Sequence, residues 1–467
     1  MSALIKALQE ITGNDRVLTS PEDLITLGYD GTPVLENAPL AGVIPADAEQ
    51  VSRIMRLAND SGTPVVPRGS GTGLSGGSVP VPGSIVMLFP RWNRIIEIDE
   101  ANLTAKVQAG VITADLHAAV EQRGLFYPPD PGSMKICTIG GNVAENSGGL
   151  RGLKYGVTAN YTMGLQVVLP TGEIIETGNK CVKDVAGLRL TDLFIGSEGI
   201  LGIFTEVLVR LIPRPAASKT MLATFDRIED AAESVSEIIA KKIIPCTLEF
   251  LDSTTIECVE AYARIGLPSG SAALLLIEVD GHPAVVAEEA EQIVAICKQH
   301  RALEVTLAAD AAEADRLKTA RRAALSALAR LKPTTILEDA TVPRSEVATM
   351  VTRIREIARK YDLTFGNFGH AGDGNLHPTC LTDERDAEEM HRVELAFEEI
   401  FRAALDLGGT ITGEHGIGLA KKQFLRASTP DAKMELLQKI KASFDPNNIL
   451  NPGKIIDSHP RCETLHT

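Results

Sequence analysis

Two histidines seven residues apart bound the segment His370-Ala371-Gly372-Asp373-Gly374-Asn375-Leu376-His377. A turn loosened by glycines can fold both imidazoles onto one point, and histidine is a common ligand for zinc and neighbouring transition metals. Glu414-His415 offers a carboxylate to complete such a set. On extended backbone, adjacent side chains point to opposite faces, so one of this pair could ligate a metal while the other faces a substrate. Two histidines and one carboxylate with open positions form a catalytic metal arrangement. Spacing alone leaves the bland readings open: unliganded loop histidines, and a Glu-His pair satisfied in a surface turn. Arg321-Arg322 reads first as solvated helix surface, although a pocket-facing arginine would grip a carboxylate with two hydrogen bonds. Asp339 and Lys183 read as solvated loop residues.

Such groups need carriers. A strand over 364–368 runs into His370 and so places the histidine pair on the following turn. Strand-like runs at 221–225, 245–250, 274–279 and 304–307 alternate with amphipathic stretches at 228–241, 253–263 and 284–299. That pattern predicts two β-α-β units, a ferredoxin-like sheet with helices on one face. A long helix over 310–331 would carry Arg321, followed by a strand near 335–338 and helices over 344–360, 383–406 and 430–442. Upstream, helices are expected near 2–12, up to 61, and over 113–123, with strands at 63–68, 84–89, 94–99, 104–109 and 205–212. A hairpin joins 165–170 to 173–177. Pro213-Arg214-Pro215 marks the linker between the two halves.

The first half is punctuated by glycine. Pro64-Val65-Val66-Pro67 feeds Arg68-Gly69-Ser70-Gly71-Thr72-Gly73-Leu74-Ser75-Gly76-Gly77. Successive N–H groups in such a loop can cradle phosphate without a lysine. Gly71-x-Gly73-x-x-Gly76 matches a dinucleotide fingerprint, but Pro80 and Pro82 follow at once and oppose the helix that fingerprint requires. No Gly-x-x-x-x-Gly-Lys-Ser/Thr P-loop occurs.

A net charge of −15 without a basic patch argues against nucleic acid. Seven scattered cysteines with no C-x-x-C argue against a disulfide framework or an iron–sulfur cluster of the chain's own. No signal peptide and no membrane span are expected, so the location expected is cytoplasmic, peripheral to a membrane only through a partner.

Six motifs then stand in order: PRGSGTGLSGG, DPGS with TIGGNVAENSGG, GSEGILGI, GHAGDGNLHP, GEHGIG and FDPNNILNPGK. Together, over about residues 40–456, they resemble the FAD-linked 2-hydroxy-acid dehydrogenases of the vanillyl-alcohol-oxidase-like superfamily. Glycolate oxidase flavin subunits and FAD-dependent D-lactate dehydrogenases belong to that group. The resemblance implies an α+β protein: a two-subdomain FAD-binding fold with an α+β, ferredoxin-like substrate cap. Its boundaries would be 1–214 for the FAD domain, 215–408 for the cap, 409–457 for the C-terminal return and 458–467 for a tail.

By the same resemblance, Pro67, Arg68, Gly69, Ser70, Gly71, Thr72, Gly73, Ser75 and Gly76 would wrap the FAD pyrophosphate. Pro131, Gly132, Gly140, Gly141, Asn146, Gly156 and Thr158 would line the flavin and adenosine half. Glu198, Gly199 and Ile203 would hold the adenine side, and Asn451 joins the set. No histidine stands in the first loop, which implies dissociable FAD. His370, His377 and Glu414 match the ligands of a divalent metal (zinc, manganese or iron(II)), His415 the base, and Arg321 the holder of the substrate carboxylate. Relatives acting on 2-hydroxyglutarate carry an asparagine two residues after the second histidine, where Pro378-Thr379 stand, and a lysine near Leu337. Their absence favours a short monocarboxylate, D-lactate or glycolate. Electrons would pass to a separate acceptor: an iron–sulfur subunit, an electron-transfer flavoprotein, a cytochrome or a quinone. A homodimer or a hetero-complex is compatible with this. The competing readings are a metal-independent alcohol or sugar oxidase using molecular oxygen, and an electron-relay subunit without a working substrate site.

Overall fold

The computed structural model describes residues 3–268 and 270–457. The expected tail 458–467, with Cys462, lies outside the described residues, as does Ser2 at the head of the first expected helix. Three larger sheets, and a two-stranded one pairing Leu125–Phe126 with Ile212–Pro213, organise the rest. Near the N-terminus, Val17–Leu18, Ala41–Val43, Ile85–Leu88 and Val65–Arg68 lie side by side in that order. The last three run parallel, Ile85–Leu88 pairing with both neighbours. The helix Ala48–Ser61 makes the crossover between two of them. Asp47 caps its start, accepting from the Gln50 N–H, and Gly62 ends it in the left-handed region. Val51, Ile54, Met55 and Ala58 fall at helical spacing and pack on the sheet.

The second sheet is antiparallel, in the order Ile95–Asp99, Thr104–Gln108, Ile203–Arg210, Thr162–Val168, Ile174–Gly178. It contains the hairpin expected around Thr171-Gly172. The glycine-rich stretch after Cys137 holds a short helix, Ile139–Glu145, opened by the Thr138 hydroxyl, which accepts from the Gly141 N–H. Glycine content concealed this helix, because glycine costs about 1 kcal/mol relative to alanine in a helix interior. Gly140 sits where a Cβ would strike the Ala109 backbone, so close helix–sheet packing outweighs propensity there.

In the second half an eight-stranded sheet forms. Glu304–Leu307, Ala217–Phe225, Ala273–Gly281 and Thr247–Asp252 stand in the ferredoxin-like order, fourth, first, third, second, each pair antiparallel. Beyond Thr247–Asp252 the sheet continues through Thr364–His370, Asn375–Thr382 and Thr334–Leu337. The expected long helix over 310–331 is two helices, Ala311–Arg322 and Ala324–Leu328. The chain then returns: Leu450 bridges Val65 and is buried in the N-terminal core, and the Val65 N–H donates to the Ile449 carbonyl. Buried Lys441 fixes this return by donating to the Ile200 and Leu450 carbonyls and pairing with Asp445. Cys137, Cys181, Cys246, Cys258, Cys297 and Cys380 are free thiols. Among the described residues no helix is long and apolar enough to cross a membrane.

Candidate active site

The two histidines lie on paired strands rather than on a turn. His370 ends the strand Thr364–His370, and His377 is the third residue of Asn375–Thr382. In the register, Phe368 faces His377 and His370 faces Asn375, so both imidazoles rise from one face of the hairpin as diagonal neighbours. The tight turn between them depends on Gly374, whose φ is +90° and where a Cβ would collide with the Val342 carbonyl. The rings stand edge to face, 5.2 Å apart. Glu414 Oε1 lies 3.1 Å from His370 Nε2 and 3.3 Å from His377 Nε2. A Cβ on Gly148 would meet the second oxygen of Glu414, so a close approach by the glycine-rich segment helps confine the carboxylate. His415 stacks on His377 with centroids 5.0 Å apart.

Two residues that hold this cluster carry no obvious signal in the sequence. Glu249, in the strand Thr247–Asp252, is fully buried. Its Oε1 accepts from His370 Nδ1 at 2.6 Å and its Oε2 from Arg321 Nε at 2.5 Å. The one available clue was an acid inside the apolar run Leu248-Glu249-Phe250-Leu251. Asp339, expected in a solvated loop, is fully buried instead. It accepts from the N–H groups of Gly413 at 2.6 Å, Glu414 at 2.8 Å and His415 at 3.3 Å, and from the Thr412 hydroxyl. Fully buried Lys421 pairs with Asp339 and with Glu338. That ion pair fixes the backbone carrying Glu414 and His415. Lys183 is exposed, as expected.

Arg321 is not solvated surface. It lies in the last turn of the helix Ala311–Arg322 with its guanidinium 4.6 Å above the Phe368 ring. Arg322 is exposed and paired with Asp315.

Charge follows from these contacts. Burial opposes a proton on His370, but Glu249 and Glu414 outweigh it and hold this ring well above the usual imidazole range. Burial pushes His377 down to about 4. It also lowers His415, with Asp339 opposing, so that ring is neutral and able to accept a proton. Burial alone would raise Glu414; His370 and His377 instead carry it well below the carboxylate range. Asp339 is lowered in the same way, Lys421 and His415 outweighing burial.

One atom each from His370, His377 and Glu414 lies within 4.8 Å of the others, a spacing that suits a single metal ion. His377 and the ionised Glu414 already present lone pairs to a common centre, and a divalent ion there would take the place of the proton that Glu249 and Glu414 hold on His370. His370 Nδ1 is already anchored on a carboxylate, as is usual for ligating histidines. The residues therefore fit a divalent ion.

A cavity of about 740 Å³ joins this cluster to the glycine loops. At one end it is lined by Pro67 to Gly73, Pro131, Gly132, Gly140, Gly141, Glu198, Gly199 and Ile203; at the other by Arg321, Phe368, His370, His377, Glu414 and His415. Asp30 and Glu145 also line it and carried no sequence signal. The N–H groups of Ser70, Gly71, Thr72 and Gly73 take no hydrogen-bond partner among the described residues, which suits an anionic ligand.

Six residues of the expected cofactor set lie outside the lining and act as braces. The Ser75 carbonyl accepts from Leu419 and Ala420, and the Gly76 N–H donates to the Thr32 hydroxyl. Asn146, with φ 55°, ends the helix Ile139–Glu145 and accepts from the Ala159 N–H. Gly156 ends a short helix, and the Thr158 hydroxyl donates to the Ser147 carbonyl. The Asn451 amide donates to the Gly77 and Glu198 carbonyls. The Glu198 carboxylate, raised to about 7 by burial, accepts from Ile417 and Gly418 and so ties a cofactor loop to the segment after His415.

Residues 39–178 match the family model of the FAD binding domain, and residues 214–455 that of the C-terminal domain of FAD linked oxidases. The chain belongs to the FAD-linked oxidases. It is an FAD-binding oxidoreductase, and its glycine-lined cavity end fits that nucleotide. The chain is 56% identical over 454 residues to the glycolate oxidase subunit GlcD of Bacillus subtilis (strain 168), covering 97% of each chain. It is 37% identical to the D-lactate dehydrogenase of Archaeoglobus fulgidus, covering 92% of this chain and 95% of the relative. Substrate-bound p-cresol methylhydroxylase superposes with a TM-score of 0.81 at 19% identity, over 97% of this chain and 96% of that one. 4-Ethylphenol oxidase from Gulosibacter chungangensis gives 0.80 at 19%, over 99% of each. The fold of this FAD-linked oxidase is thus of the vanillyl-alcohol-oxidase type.

Proposed function

We propose that this FAD-linked oxidase converts a small D-2-hydroxy acid, D-lactate or glycolate, to the 2-oxo acid and passes the electrons to a separate acceptor. An iron–sulfur subunit, an electron-transfer flavoprotein, a cytochrome or a quinone would serve. The observation that carries this reading is the convergence of His370, His377 and Glu414 beside Arg321 and His415, at the far end of the cavity that begins in the glycine loops. The names of the relatives, glycolate oxidase subunit and D-lactate dehydrogenase, support the substrate class.

FAD, held without a covalent link, would supply the two-electron acceptor, and a divalent ion (zinc, manganese or iron(II)) on His370, His377 and Glu414 would supply Lewis acidity. Arg321 binds the substrate carboxylate and gives the substrate one orientation. His415 takes the hydroxyl proton on Nε2, while Nδ1 lies 3.6 Å from Asp339 Oδ1. Leu325, Leu337 and Phe368 line the same end and suit a substrate with a methyl group or nothing at C3.

Anaerobic addition of D-lactate or glycolate to the flavin-loaded protein should bleach the flavin absorbance, and 3-hydroxybutyrate should not. No bleaching by any 2-hydroxy acid would overturn the reading. Peroxide released stoichiometrically in air would favour an oxygen-using oxidase instead.

A further inference from the structure

Glu249 stands between the two arms of the proposed site and touches both. The strand Thr247–Asp252 alternates its faces: Leu248 and Phe250 enter one core, and Leu251 enters the core on the opposite side. Glu249 shares a face with Leu251, which is paired with Phe368 of the histidine strand. Its carboxylate therefore emerges beside His370, on the side covered by the helix Ala311–Arg322. Each oxygen has its own partner, His370 Nδ1 for Oε1 and Arg321 Nε for Oε2.

The chemistry of those partners sets the consequence. With Nδ1 donating to Glu249, Nε2 is the ring nitrogen of His370 left for a ligand, and it is the one directed at Glu414. With Nε donating to Glu249, the two terminal amines of Arg321 remain for another carboxylate. Stacking over Phe368 limits rotation of the guanidinium. One rigid carboxylate thus sets the separation between the group that holds the hydroxyl end of the substrate and the group that holds its carboxylate end.

We propose that Glu249 is a positioning residue that couples the metal ligand His370 to the carboxylate holder Arg321, and that this fixed span selects acids whose hydroxyl lies on the carbon next to the carboxylate. The inference rests on the reading given under Proposed function. Glu249→Gln keeps the volume but not the double acceptor: an amide has a single oxygen, so either His370 or Arg321 is left facing an N–H₂ group.

The test is calorimetric titration of Zn²⁺ into the chelator-treated, flavin-loaded protein, alongside steady-state kinetics with glycolate and D-lactate. Glu249→Gln is expected to weaken Zn²⁺ binding by about 10–100-fold and to raise KM as well, with flavin spectrum and thermal midpoint at their wild-type values. The preference for D-lactate over 3-hydroxybutyrate should fall in the same variant. Glu249→Asp, which keeps the charge on a shorter arm, should fold in any event and lose part of that preference. Wild-type Zn²⁺ affinity and KM in Glu249→Gln would overturn this inference alone. A wild-type protein that binds no Zn²⁺ would overturn the reading of the site together with it. If Glu249→Gln loses thermal stability and Glu249→Asp retains full selectivity, Glu249 is a structural residue and the inference fails.

Discussion

The glycine loops at one end of the cavity offer main-chain N–H groups from consecutive residues, Ser70 to Gly73. At the other end, the histidine cluster is assembled from side chains on four separate stretches of chain: Glu249, Arg321, the hairpin bearing His370 and His377, and Glu414-His415. The glycine end carries its donors on the backbone, and backbone donors survive most side-chain changes. The charged end depends on individual atoms whose positions are fixed by buried partners. From this difference it follows that the cofactor end should tolerate substitution at its non-glycine positions and the chemical end should not.

The largest expected effect is on turnover. His415→Asn should lower kcat by about 10²–10⁴-fold while the flavin spectrum is unchanged. A loss smaller than tenfold would mean that His415 is not the base. Next comes stability. Lys421→Met leaves Asp339 charged and buried without its cation, and breaking such a pair costs about 3–5 kcal/mol. Denaturant unfolding of the flavin-loaded protein should show that loss, and catalysis should fall because the backbone of Glu414 and His415 is released. A variant as stable as the wild type would show that the three N–H donors alone hold Asp339. The smallest effect belongs to the cradle. Ser70→Ala removes one hydroxyl but no main-chain donor, so FAD affinity should change by no more than about tenfold, one net hydrogen bond being worth about 0.5–1.5 kcal/mol. A hundredfold loss in fluorescence titration would show that side chains, not the backbone, bind the phosphates.

The same contrast explains what could be read from the sequence. A loop that binds through its backbone must be rich in glycine locally, so residues 68–77 could be read as a candidate phosphate cradle, and Arg68 to Gly73 do line the cavity. The residue types that converge at the charged end were legible as candidates too, although their spacing alone left unliganded loop histidines and a surface Glu-His pair open. Their carrier was not. The strand Asn375–Thr382 contains Pro378 and polar residues, which hid it, and the histidines were placed on a turn. Glu249 and Asp339 were illegible for a different reason. Each is a lone acid whose meaning lies in a partner far along the chain: Arg321 and His370 for one, Lys421 for the other. The break at Ala323 lies in an alanine-rich run whose residues all favour helix, so propensity gave no warning.

Metal content, measured on the wild type and on Glu414→Ala after dialysis against the same trace of Zn²⁺ and Mn²⁺, tests the convergence of His370, His377 and Glu414 most directly. The account predicts one divalent ion per flavin in the wild type and none in Glu414→Ala, with both proteins retaining their flavin. Equal metal in the two, or none in an active wild type, would contradict it.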